Sequence, residues 1–394
     1  MTYQDGLNRN ILISRLQSFF VSLLFFMPIW YAFERQFASP STLAAIYAIT
    51  YLVSVILELP TGALADIFGR KRMVLIGYFI QGASWIFISQ SQNMWWLWIG
   101  YSIFQIGGTL VSGANTALLY DTMKELKKEQ LFSSVQGKNE LFYRVGITLA
   151  AFAGGYIFLF NKGLPYILVG IATILAGIAT WFMVEPHIDS EKFTLKNYIK
   201  QTKIGFQELW KTPYTRDLSI YYISVGGITW YYLFFLLIVF MTDVGFTPVE
   251  RGWISAVNSI LVGVIAVIVT RYKLLSRKAA YVYFPVVMCI GFFLAPLLTN
   301  WSATISLFLV YLVSITRFAF LDQYTNEEFD SKYRATAISS LNMAISIVYF
   351  LLSFLMNPIL TRWGSGWVMF ALGILTCLTT VPSVIILLEK HSRT

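Results

Sequence analysis

Uncharged apolar stretches near the length that crosses a bilayer recur along the whole of this 394-residue chain, and they decide what it can fold into. Examples are residues 16–33, 43–57, 166–184 and 367–388. About 20 apolar residues in a helix match the hydrocarbon thickness, and a helix satisfies its own backbone N–H and C=O groups where no water can. The chain therefore reads as an all-α polytopic membrane protein. Charged residues make up 12% of it, against about a quarter in soluble domains, and no stretch is left over for a soluble domain. After Met1 come Asp5 and Arg9, then an apolar run past Pro28 with no Ala-x-Ala site. This predicts a retained first span and a mature chain that starts at Met1.

Charged residues, Gly, Pro and Asn punctuate the runs and give twelve expected spans. They lie near 11–34, 41–61, 73–90, 95–119, 138–160, 164–184, 218–241, 250–270, 279–298, 302–322, 335–360 and 365–388. The first and tenth carry Arg15 and Arg317. The longest connection separates six spans from six: a bundle over 1–184, a linker over 185–217 and a bundle over 218–394. In that linker Leu195, Tyr198, Ile199, Thr202, Phe206 and Leu209 recur at helical spacing, with Lys192, Lys196, Lys200 and Lys203 between them. An amphipathic helix on the membrane surface, tethering the halves, is expected.

Basic residues set the orientation. With both termini cytoplasmic, every one of the 29 lysines and arginines falls inside except Arg35, Lys162, Arg251 and Arg362. That is the asymmetry the positive-inside rule requires. The net charge of +9 is thus a topology signal and an attraction to anionic lipid, not a nucleic-acid footprint. A multi-pass protein of a bacterial inner membrane, working as a monomer, is the expectation.

Other chemistries lack their residues. Cys289 and Cys377 sit in apolar runs with neither disulfide nor metal spacing, and the only histidines are His187 and His391. No G-x-x-x-x-G-K-[ST] run is present, so ATP hydrolysis on this chain is not expected. No nucleophile, metal or acid–base cluster converges, and the expectation is a protein without cofactor or metal that is not an enzyme.

The most informative stretch follows the second span, at residues 58–72. Gly62, Asp66, Gly69, Arg70 and Lys71 fall within ten residues of one another. Gly62 admits a neighbouring helix, Gly69 a tight turn, and the basic pair anchors the loop inside. A carboxylate at that depth requires a basic or helix-terminal partner. Here the sequence resembles the major facilitator superfamily, whose loop pattern is G-x-L-A-D-r-x-G-r-k. Gly62, Leu64, Ala65, Asp66, Gly69, Arg70 and Lys71 match it, while Ile67 replaces the usual basic residue.

The resemblance implies two six-helix bundles, with this loop latching the cytoplasmic ends while the cavity faces out. In the second half, setting Arg277 and Lys278 on Arg70 and Lys71 puts Lys273 at Asp66 and Ser276 at Gly69. A one-sided latch is expected. Residues 112–121 and 334–339 also look like a bacterial permease or efflux subgroup, with Asn115 and Thr116 where that subgroup often has acids.

Span five carries Gly146, Ala150, Ala151, Gly154 and Gly155, which resemble the antiporter motif G-x-x-x-G-P-x-x-G-G with its central Gly-Pro replaced. The same spacing serves ordinary close helix packing. Ionisable residues inside spans are costly and are functional candidates by default. Glu58 and Asp322 are the expected proton or ion carriers, with Arg144 and Arg317 as charge partners. Glu58 alternatively makes a local hydrogen bond beside Pro60. Trp30 and Tyr31 in span one, Trp230 and Tyr231 in span seven, and Gln105, Asn115 and Asn258 are the expected cavity residues; lipid-facing belts account for similar aromatic content. These readings point to a secondary transporter of a small amphipathic or aromatic molecule, proton-linked and exporting. Uptake or facilitated diffusion, and a non-transporting membrane sensor, are the alternatives.

Overall fold

The computed structural model describes residues 2–187, 195–272, 274–329 and 334–390, and all regular structure within them is helical. The first half runs α1 (Tyr3–Val21), α2 (Trp30–Glu34), α3 (Pro40–Phe68), α4 (Arg70–Ser89), α5 (Met94–Glu125), α6 (Phe132–Phe160) and α7 (Leu164–Trp181). After α8 (Leu195–Leu209) come α9 (Pro213–Tyr231), a π-helical turn (Tyr232–Leu236) and α10 (Leu237–Asp243). The chain ends with α11 (Pro248–Arg271), α12 (Arg277–Leu294), α13 (Ala303–Glu328), α14 (Arg334–Leu355), α15 (Asn357–Trp363) and α16 (Ser365–Lys390). Among the described residues nine helical stretches are long and apolar enough to cross a membrane. The expected spans 11–34 and 95–119 fall on α1 with α2 and on α5, which are not among the nine, and 302–322 falls on α13, part of which lies outside the described side chains.

The expected first span is not one helix. At Val21 the ladder ends, and Leu24 and Phe25 donate only two residues back, to Ser22 and Leu23, at 2.7 and 3.0 Å. Ser22 Oγ donates to Phe19 O at 2.7 Å, and Pro28 has no N–H to give and disfavours helix at Met27. Helix resumes at Trp30. The seventh span stays helical but widens to π-helical hydrogen bonding over Tyr232–Leu236.

The chain forms two compact units. The first holds Met1–Ala38, Ile49–Tyr198 and Pro248–Ala256; the second holds Ser39–Ala48, Ile199–Thr247 and Val257–Thr394. In the first, α4 is central, with Val74 and Tyr78 packed among Ala65, Leu110, Ala114 and Ala176. Glycines set its spacing. A Cβ on Gly77 would lie 2.7 Å from Gly107 O in α5, and one on Gly82 would lie 2.8 Å from Gly170 O in α7. Backbones meet directly there, which supplies the dispersion contact that holds helices together in lipid.

In the second unit α9 is central. Its Gly226 and Gly227 receive Ile345 and Val348 of α14, and the hydroxyls of Tyr221 and Tyr232 donate to Tyr281 O and Leu307 O, each at 3.0 Å. The division between units falls within α8. Of the stripe read from its spacing Leu209 is buried, Thr202 and Phe206 are half-buried and Ile199 is exposed, and Gly205 and Glu208, which are not part of that stripe, are buried as well. The missing side chain of Gly205 lets α8 sit on α14 with a built Cβ only 2.6 Å from Thr336 O.

Candidate functional site

The first and seventh spans gather the polar and aromatic features of the chain. In the first unit the stripe read from span five forms the seat of the break. A Cβ on Gly146 would lie 2.0 Å from Ser22 Oγ, and one on Gly154 would lie 2.1 Å from Phe25 O and 3.0 Å from Pro28 Cγ. Ala150, fully buried, lies between them on the same face of α6. The adjoining face packs on the first turns of α11. A Cβ on Gly155 would lie 2.5 Å from Pro248 O and 2.6 Å from Val249 Cα, and one on Gly252 would lie 2.4 Å from Ala151 O. The five motif residues thus divide between two neighbours: Gly146, Ala150 and Gly154 toward the break, Ala151 and Gly155 toward α11.

Beyond the break, α2 carries Trp30 and Tyr31, both buried, and Glu34, which is fully buried. Glu34 Oε1 accepts from Tyr101 of α5 at 2.5 Å and from Tyr166 of α7 at 2.7 Å. Phe26, Phe33 and Trp85 stack around Tyr166. Two phenol donors on one oxygen, at distances typical of charge-assisted bonds, supply what hydration would otherwise give a buried carboxylate. Glu34 was not among the coupling residues expected from sequence. Its signal, an acid at the edge of an apolar run, is present but shared with Glu58. In the second unit Asp243, ending α10, accepts from Ser365 N and Oγ at 3.2 and 2.6 Å. In each half, then, an acid closing the first spanning segment is tied to the first turn of the last.

At the opposite end of the first unit, α3 and α5 are long enough, at 29 and 32 residues, to carry their last turns past the hydrocarbon. Gly69 turns there with φ at +91°, and α4 starts at Arg70. Arg70 forms an ion pair with Asp121 of α5, both side chains largely buried. The Glu185 carboxylate caps α4, accepting from Arg70 N and Lys71 N at 2.8 Å each. The place a Gly69 Cβ would take is 3.3 Å from that carboxylate. Glu58, Gly62, Asp66 and Asp322 lie outside the residues whose side chains are described.

The second unit carries an ion pair at the matching place. Arg277, first residue of α12, pairs with Glu328, last residue of α13, at 2.6 Å, and also reaches Tyr214 OH at 3.3 Å. Both pairs join residues 51 apart in sequence. Comparing the loops alone missed this because each acid stands at the end of the following helix.

The remaining expected site residues separate. Arg144 pairs with Glu140 one turn back on α6, at 2.7 Å, and both are about half exposed; their shared helix face makes this a surface pair. Arg317 is fully buried. Asn115 donates to Tyr78 OH at 3.4 Å, and Gln105 is half-buried. Trp230 is half-buried beside Phe234, while Tyr231 and Asn258 are buried. Trp30, Tyr31, Gln105 and Asn115 belong to the first unit, and Trp230, Tyr231 and Asn258 to the second.

Residues 11–351 match the family model described as the Major Facilitator Superfamily. The multidrug resistance protein MdtH of Proteus mirabilis is 21% identical over 201 residues, a match that spans 51% of this chain and 47% of that protein. YxaM of Bacillus subtilis, described as an uncharacterized MFS-type transporter, is 22% identical over 348 residues, 83% of each chain. Among solved structures, the nucleoside transporter NupG superposes with a TM-score of 0.75 at 14% identity, covering 98% of this chain and 99% of that one. A D-xylose-proton symporter gives 0.68 at 15% identity, covering 97% of each.

Proposed function

The chain belongs to the major facilitator superfamily, and from that premise we propose that it exports a small amphipathic, aromatic-bearing compound by alternating access, driven by protons. One observation carries this reading: the first span is broken and the seventh, equivalent to it in the other half, departs from α-helical hydrogen bonding in a π-helical turn, and aromatic residues line both places. Departures from the α-helix at matching positions point to a transporter's binding site, because they change which backbone groups are free where a solute is held. Trp30, Tyr31, Trp230 and Tyr231 flank these places, with Gln105, Asn115 and Asn258 as polar contacts. The seat of small residues on α6 and the likeness to MdtH favour export.

In this reading residues 62–71 latch the cytoplasmic ends, with Asp66 as the latch carboxylate. Glu58 and Asp322 carry the proton. Both termini are cytoplasmic in an inner membrane. Cysteines placed singly at Lys128 and Lys203 are then expected to be shielded from an impermeant thiol reagent in intact cells, and one at Lys162 to react. The reverse labelling overturns the orientation.

The deciding measurement uses proteoliposomes loaded with a panel of aromatic amphiphiles under an imposed pH gradient. Export predicts gradient-driven movement that collapses with a protonophore. Glu58→Gln should abolish uphill movement while exchange at equal concentrations survives, since exchange needs the site and the rocking motion but no net proton transfer. Uphill, protonophore-sensitive transport by Glu58→Gln removes Glu58 from the mechanism; flux of no compound at all favours the sensor reading.

A further inference from the structure

We propose that Cys289 and Cys377 form a lipid-facing dithiol site for trivalent organic arsenicals, a role independent of the transport reading above. The two residues are 88 apart in sequence, yet their Sγ atoms stand 3.4 Å from one another. Both are free thiols, Cys377 exposed and Cys289 half-buried. Cys289 lies on α12 and Cys377 on α16, both in the second unit. Cys377 is twelve residues from one end of α16 and thirteen from the other, roughly 18 Å and 20 Å along the helix axis. That places the pair near mid-depth of a bilayer about 30 Å thick. The surface around it is apolar: Val286 and Ile290 beside Cys289, and Ile374 and Leu378 beside Cys377, are all exposed. The thiols therefore open to lipid rather than to water.

Geometry and depth together select the ligand. A disulfide holds its sulfurs about 2 Å apart, so this pair stands open, one thiol hydrogen-bonded to the other. A single trivalent arsenic bonded to two sulfurs keeps them farther apart than a disulfide does, near the separation found here. In the reaction with an arsenoxide, two arsenic–sulfur bonds replace the two S–H bonds and the arsenic–oxygen double bond. Both protons leave with that oxygen as one water, arsenic stays trivalent, and no electron is transferred. Because the arsenical's own oxygen takes the protons, no thiolate has to stand free in apolar surroundings, which disfavour it. The product is neutral, whereas a metal ion held by two thiolates would bring charges into hydrocarbon. One turn along each helix, Phe293 meets Gly373, where a Cβ would lie 2.9 Å from Phe293 Cε1. That close approach fixes α12 against α16 beside the pair and pre-organises the two sulfurs. Phe293 and Phe370, with ring centroids 5.1 Å apart, offer their faces to an aryl group carried by the arsenic. Such a compound reaches the site through the lipid without entering a transport cavity.

The test uses the full-length protein purified under reducing conditions, with phenylarsine oxide as the probe and phenylarsonic acid, its pentavalent counterpart, as the control. The chain has only these two cysteines, so every thiol adduct reports on them. Phenylarsine oxide is expected to add one phenylarsenic per chain, seen by intact mass with the loss of one water. It should also raise the Tm, because the bridge closes an 88-residue loop that holds α13, α14 and α15. Phenylarsonic acid should do neither. An excess of mercaptoethanol should leave the adduct in place and ethanedithiol should remove it, since only a second dithiol competes with two bonds made within one molecule. Cys289→Ser and Cys377→Ser should each hold the probe roughly a hundredfold more weakly, for the same reason. Should a serine variant fail to fold, Cys289→Ala, Cys377→Ala and the monothiol challenge of the wild type carry the test. No adduct on the wild type, two phenylarsenics per chain, displacement by the monothiol, or equal retention by either single variant overturns the site.

Discussion

Gly154→Leu and Gly155→Leu should each abolish accumulation of folded protein, with at least a tenfold drop in monodisperse material after extraction from the membrane. The atoms in the way are chiefly backbone. A Cβ at 154 meets Phe25 O at 2.1 Å, and one at 155 meets Pro248 O, Val249 Cα and Pro248 C at 2.5 to 2.7 Å. A side-chain tip would swing aside, but here a whole segment must move, and a leucine adds three more carbons to the overlap. Overpacking commonly costs about 1–3 kcal/mol even where side chains can yield, and a tenfold change needs about 1.4 kcal/mol. Gly113→Ala and Gly263→Ala are the controls, since nothing lies within 4 Å of a Cβ at either. They should accumulate like the wild type. Normal yields of both leucine variants would mean that the α6 stripe sets the position of neither the broken span nor α11.

Breaking one partner of the Arg70–Asp121 ion pair should be nearly as severe, and restoring neutrality should reverse it. In Arg70→Gln the Asp121 carboxylate, largely buried, keeps its charge and loses its cation. Removing one member of a buried pair typically costs about 3–5 kcal/mol, because the survivor is left charged and dehydrated. Transport activity per cell should therefore fall more than tenfold in Arg70→Gln and in Asp121→Asn, and recover substantially in the double variant. Arg277→Gln, Glu328→Gln and their combination should follow the same pattern more weakly, since those side chains are about a quarter to a third exposed. Arg144→Gln supplies the comparison: its partner Glu140 is on the surface, where such pairs contribute about 0.2–1 kcal/mol, and no change is expected. Additive losses in the Arg70/Asp121 double variant would show that the two residues act separately.

Different kinds of information made parts of this protein legible before its structure. Membrane class followed from run length, because hydrocarbon thickness fixes how many uncharged residues must be consecutive. The turn at Gly69 and the helix that starts at Arg70 were legible because the glycine and the basic pair stand next to each other. What escaped was whatever depends on residues distant in sequence or on a backbone departing from ideal helix. Glu328 could not be found by comparing loops, since it closes a helix 51 residues from Arg277. The break at residues 22–29 was hidden because Phe, Leu and Met there suit a continuous span, and only Pro28 hinted otherwise. Glu34 stands at the end of the expected first span, and nothing in the sequence shows that Tyr101 and Tyr166, 67 and 132 residues away, converge on it. In α8 the contact at Gly205 was not legible, because hydropathy gives a glycine no weight as a contact.

The order in which the chain leaves the ribosome gives the small-residue face of α6 a history. Ala151 and Gly155 are made long before Pro248–Ala256, the segment that covers them and that belongs to the same compact unit. At about 5–20 residues per second, roughly 5 to 20 s separate the completion of α6 from the arrival of Gly252. During that interval lipid tails, or a membrane insertase, must occupy the groove that α11 later fills. The first unit is therefore finished only after synthesis of the second has begun, so a nascent chain stopped at residue 187 would present an open seam to the bilayer.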